Sequence, residues 1–171
     1  MENSHLENLI KKAVTDFNNI VGTETDVSNM LLKGHLYIEN LLDEVLAIFD
    51  QRVENRTFSF KIKTLERVKD KCSLSIQKKD LEDLIPSLYA LNSVRNNLAH
   101  NLNFSPDETS VNRIGITLGS KYIIEKYENG QDKIKQNLLF CFSEIVNLLA
   151  KTIYLEIGHL NNRNRNSETK K

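Results

Sequence analysis

Apolar residues recur at three- and four-residue spacings along nearly the whole chain, so the periodicity predicts helices almost throughout. Leu6, Leu9, Ile10, Ala13, Val14, Phe17 and Ile20 form a first stripe, which Gly22 ends. A second helix starts at Asp26, a suitable N-cap, and runs to about Val53. Val27, Met30, Leu31, Gly34, Ile38, Leu41, Leu42, Val45, Ile48 and Phe49 give it one apolar face, suited to a bundle. Asn55 to Ser59 reads as a loop, with Phe58 and Phe60 expected to dock on the core. Ile62, Leu65 and Val68 predict a short helix ending near Cys72. After a polar break from Ser73 to Lys79, a fourth helix is expected from about Asp80 to Leu102. Pro86 marks either a kink in it or a true start at Ile85. Residues 103–130 are the least regular, and the β-prone run Arg113–Ile124 predicts a small hairpin. The last helix is expected from Asp132 to Leu160, followed by a polar, basic tail, NNRNRNSETKK, expected to be disordered. The reading is all-α: a four- to five-helix up-and-down bundle with a short irregular or hairpin insertion around 103–130, as one domain over 1–160 and a tail over 161–171.

Composition narrows the classes. The chain has 171 residues, the size of one domain, with 23 basic and 23 acidic side chains. Balanced charge argues against a surface that adheres wholesale to nucleic acid or anionic membrane. Cys72 and Cys141 make neither a disulfide framework nor a zinc site. No run of about 20 apolar residues is evident, and MENSHLENLIKKAV lacks a signal-peptide core. The expectation is a soluble cytoplasmic protein with reduced thiols, no membrane partner, no metal and no cofactor. Neutrality hides an asymmetry. Residues 1–51 hold three basic and nine acidic residues, whereas residues 52–79 hold nine basic and three acidic. Within the basic block, Lys61, Lys63 and Arg67 are candidate RNA contacts; a solvated face beside an acidic one is the plainer reading.

One short segment carries chemistry. Leu81, Leu84, Ile85, Leu88, Leu91, Leu98, Ala99 and Leu102 form a single stripe, and Arg95 falls within it. A buried, unpaired guanidinium costs several kcal/mol. Arg95 therefore either meets a carboxylate on another helix or faces a cleft or a second subunit. Five residues later stands His100, giving Arg95-Asn96-Asn97-Leu98-Ala99-His100.

This segment resembles the signature of the HEPN superfamily (higher eukaryotes and prokaryotes nucleotide-binding domains). Lys33 to Asn40 and Phe58 to Lys63 are also similar to the branch that contains the mannitol operon repressor, in which the catalytic pattern is often degraded. The resemblance spans residues 26–155 as an architecture and six residues as a motif. It implies a metal-independent endoribonuclease of a toxin–antitoxin or phage-defence system, with RNA as substrate, a homodimer sharing one cleft, and a possible antitoxin or inhibitor protein.

The residues suit that chemistry. Attack by a ribose 2′-OH needs a base, an acid and positive charge at the phosphorus. His100 can exchange a proton near neutrality, typically worth about 10²–10⁴ in rate. Arg95 can hold two phosphate oxygens, and Asn96 can orient the phosphate or the histidine. Products would carry a 2′,3′-cyclic phosphate. On an ideal helix, positions five apart diverge by roughly 140°, so Arg95 and His100 converge only if the helix frays or two subunits share the site. The competing reading pairs Arg95 with Glu39 or Glu44 and leaves His100 as a helix C-terminal cap. His35 and Glu39, four apart, could support the site; as a metal pair they lack a third ligand. Two further functions stay open: a non-catalytic regulator or adaptor that binds a protein, and a plain RNA-binding module.

Overall fold

The computed structural model describes residues 2–116, 118 and 130–168. Among the described residues six α-helices follow one another: α1 (Glu2–Val21), α2 (Val27–Ile48), α3 (Phe58–Val68), α4 (Ser75–His100), α5 (Glu108–Gly115) and α6 (Gly130–Glu168), with a 3₁₀ turn at Lys69–Lys71 after α3. No strand occurs among the described residues. The all-α reading holds.

Local signals explain most boundaries. Gly22 closes α1 with its N–H on the Asn18 carbonyl at 2.8 Å, where a Cβ would lie 2.5 Å from that oxygen. The Asp26 carboxylate accepts from Asn29 N at 2.8 Å, and Thr57 caps α3 through Phe60 N at 3.3 Å. α2 stops at Ile48, five residues before the expected end, because the chain turns at Asp50, which has a φ of 59°. α4 starts at Ser75 rather than near Asp80 and runs straight through Pro86, which is neither its start nor its end. The polar stretch before it is helical because its side chains find partners. Gln77 Oε1 accepts from Leu74 N at 3.2 Å, and buried Glu156 accepts from Ser73 N and Oγ, both at 2.7 Å. The expected hairpin is overturned where it can be seen. Arg113 and Ile114 lie in α5, capped by Asp107, with Val111 and Ile114 buried one helical turn apart; residues 117 and 119–129 lie outside the described residues. α6 continues to Glu168, so most of the expected tail is helical in its backbone; residues 169–171 lie outside the described residues.

α6 is the spine. It packs along α1 and α2, and also meets α4 and α5, while α3 bridges α2 and α4. Its stretch Lys133–Leu160 is long and apolar enough to cross a membrane by length and composition, contrary to the sequence expectation. Half of its most apolar stretch is buried within the protein, and Asn137, Thr152 and Glu156 are buried along the same helix, as suits a core helix. Phe17, Tyr37 and Phe142 stitch α1, α2 and α6, with edge-on ring contacts at 5.3 and 5.9 Å.

Gly34 of α2 lies directly against α6. A Cβ there would lie 2.2 Å from Cε2 of the fully buried Phe142 ring, so α2 reaches α6 only because residue 34 has no side chain. Gly34→Ala should therefore lose stability, by about 1–3 kcal/mol, although alanine is the better helix former. Urea unfolding measures this, and a second substitution, Phe142→Leu, should return part of the loss.

Candidate functional site

α2, α3 and α4 meet around an open cleft of about 420 Å³ lined by His35, Glu39, Thr57, Phe58, Ser59, Asn92, Arg95 and Asn96. Each helix reaches it for a local reason. On α2, His35 and Glu39 are one turn apart, beside the buried row Leu31, Ile38, Leu42. On α3, Phe58 is the first helical residue, and its ring lies 4.3 Å from the His35 ring at 56°. On α4, the buried row Leu81, Leu84, Leu88, Leu91 gives way to Val94, which turns Arg95 half-buried into the cleft. The expected stripe ends at partly buried Leu98; Ala99 and Leu102 are exposed.

Charges decide what the cleft can hold. Lys61, expected on a phosphate-facing surface, is instead buried, its ammonium 2.9 Å from Glu39 Oε1 and 2.8 Å from Asp43 Oδ2. Burial alone lowers its pKa, but hydrogen bonds to Asp43 and Glu39 outweigh that and raise it, so the cation persists. Glu39 is thus taken. Among the described residues no carboxylate forms an ion pair with Arg95, whose guanidinium donates to Asn96 Oδ1 at 3.1 Å. Neither Glu39 nor Glu44 neutralises it. A guanidinium that opens onto a cleft with no carboxylate in contact has the fork geometry that suits a bidentate anionic ligand.

His35 is the unusual neighbour. Its side chain is almost wholly buried, neither ring nitrogen has a hydrogen-bond partner, and Nδ1 stands 3.8 Å from Glu39 Oε2, beyond hydrogen-bonding range. Burial, helped by the Arg95 and Lys61 charges and opposed by Glu39, lowers its pKa from 6.5 to about 4. It is a neutral imidazole at neutral pH.

The predicted site residues are therefore distributed as follows. Arg95, Asn96, His35 and Glu39 come together; His100, the last residue of α4, is exposed and outside the cleft lining; Lys63 and Arg67 are exposed on α3. Asn92, Asn96 and His100 are spaced four apart and share one helix row, so His100 sits about 6 Å along the axis beyond Asn96. Thr57, Phe58, Ser59 and Asn92 were not expected in the site. Only Asn92 had a legible signal, its four-residue offset from Asn96. No group of three or more His, Cys, Asp or Glu capable of holding a metal occurs among the described residues. Cys72 is partly buried, with its thiol pushed up to about 11 chiefly by burial, which keeps it protonated. Compared with family models, curated proteins and solved structures, the chain matches none.

His35 gives the fold a pH signature. The unfolded chain takes a proton below pH 6.5, whereas folded His35 resists until about pH 4. Its contribution is complete above pH 6.5 and is lost as pH falls from there towards 4. The loss approaches about 3 kcal/mol at 1.36 kcal/mol per unit. Unfolding free energies of wild type and His35→Gln, measured across that range, should differ by this slope.

Proposed function

We propose that the protein is a metal-independent endoribonuclease of HEPN type, built as an up-and-down helical bundle and acting as a homodimer in the cytoplasm. The observation that carries the reading is Arg95: a guanidinium without a carboxylate partner, facing an open cleft, five residues before an exposed histidine on the same helix. Arg95 binds the scissile phosphate and stabilises the negative charge that develops on it. Asn96, bonded to Arg95, orients it. His100 exchanges the proton of the 2′-OH or of the 5′-oxygen leaving group.

The helix geometry calls for two subunits. Arg95 and His100 point about 140° apart, and the end of α4 leaves Ala99, His100 and Leu102 exposed. A second copy laid against this end would bring its own His100 to the first copy's Arg95 and supply both an acid and a base. The products are a 2′,3′-cyclic phosphate and a free 5′-hydroxyl. A toxin–antitoxin or phage-defence setting, with a separate antitoxin or inhibitor protein, fits an enzyme of this kind.

The position of His100 outside the cleft lining favours a second reading, a non-catalytic regulator or adaptor that binds a protein partner. Purified protein incubated with total RNA and a chelator separates the two. The nuclease reading predicts cleavage to cyclic-phosphate ends, reduced about 10²–10⁴-fold in His100→Ala and lost comparably in Arg95→Ala. RNA left whole by wild-type protein would favour the adaptor.

A further inference from the structure

The basic block of the sequence does not act as one surface. Lys61 turns inward to Glu39 and Asp43, while Lys69 and Lys78 are paired with Asp70, and Lys69 also with Glu82. Arg52, Arg56, Lys63, Arg67, Lys71 and Lys79 are exposed, and among the described residues none forms an ion pair with a carboxylate; of these, Arg56, Lys63 and Arg67 share the Phe60 side of α3. Arg67 donates to Thr64 Oγ1 at 3.1 Å, and the Arg56 guanidinium lies over the Phe60 ring at 5.4 Å. Two acidic residues are close by in sequence, Glu54 and Glu66, and Glu66 accepts from the Tyr89 hydroxyl at 2.9 Å.

Phe60 belongs with these cations. Phe60, expected to dock on the core beside a loop, is instead 42% exposed. Phe60, Lys63 and Arg67 stand at i, i+3 and i+7 and form one outward row of α3. Ser59 and Thr57, which line the cleft, adjoin that row. An exposed aromatic ring beside three cations that lack carboxylate partners, next to the cleft that holds Arg95, is the chemistry of a single-strand platform. Cations track the phosphates, and the ring face takes an unpaired base whatever its identity.

We propose that the Phe60–Lys63–Arg67 face of α3, with Arg56 just before the helix, binds single-stranded RNA, stacking one unpaired base on Phe60 in place of the Arg56 guanidinium, and leads the strand over Ser59 to Arg95. This rests on the nuclease reading for its ligand but makes a separate claim. A base must be unstacked to lie on Phe60, so the site selects single strands over duplex.

The chain has no tryptophan, so Phe60→Trp installs a sole fluorophore at the platform. The full chain carrying His100→Ala and Phe60→Trp is titrated with a mixed-sequence single-stranded RNA and with the same sequence as duplex. The single strand should quench the tryptophan emission, and the duplex should not. In the His100→Ala background, Phe60→Ala should weaken single-strand binding roughly five- to hundred-fold. Lys63→Gln and Arg67→Gln should each lower the slope of log affinity against log salt by about 0.7. Unchanged emission at saturating RNA, equal binding by Phe60→Ala, equal binding of duplex, or no RNA binding at all overturns the platform. The two claims fail separately. Wild-type protein that binds RNA this way without cutting it refutes the nuclease and leaves the platform. A nuclease whose KM is the same in Phe60→Ala refutes the platform and leaves the nuclease.

Discussion

The buried Lys61 ammonium organises the chemistry of this protein. It enters from α3 and takes one oxygen each from Glu39 and Asp43 of α2. A cation this deeply buried is tolerable only because both carboxylates meet it at hydrogen-bonding distance. The consequence lies across the cleft. Glu39 is held by Lys61, and among the described residues Arg95 of α4 forms no ion pair with a carboxylate. The same two cations, together with burial, keep His35 neutral. One lysine between two carboxylates leaves the α2–α3 wall with one net negative charge, facing the single cation of Arg95 on α4.

The scaffold holds these walls at a fixed spacing. Gly34 lets α2 lie directly on Phe142 of α6, and Glu156 of α6 holds the start of α4 through Ser73. α2 and α4, the two helices that carry His35 and Arg95, are therefore both anchored to α6. A change at either contact would alter the cleft without touching a residue that lines it.

Much of this was legible in the sequence. Strong helical periodicity marked α1, α2 and the body of α4, and Asp26 and Gly22 marked ends. Arg95 announced itself as a charge on an apolar stripe, and a cleft was one of its expected resolutions. What the sequence hid depends on tertiary partners. Ser73–Lys79 reads as a polar break, yet Glu156, 83 residues from Ser73, holds the chain where α4 begins at Ser75. Phe58 and Phe60 look equivalent, but two residues on a helix face nearly opposite ways, so only Phe58 is buried. Lys61 reads as surface charge because its carboxylate partners lie on another helix. The β-prone residues at Arg113 and Ile114 became helical because Asp107 caps that turn and Val111 and Ile114 share one buried face.

In the proposed reading, Lys61 holds Glu39 and so leaves Arg95 to bind a backbone phosphate. The salt dependence of binding of a non-cleavable 2′-O-methyl RNA is compared among wild type, Arg95→Gln and a folded Lys61→Met variant. Both variants should lose about 0.7 of slope, one phosphate contact, because Glu39 released from Lys61 would pair with Arg95. Wild-type slope and affinity in both variants would contradict it.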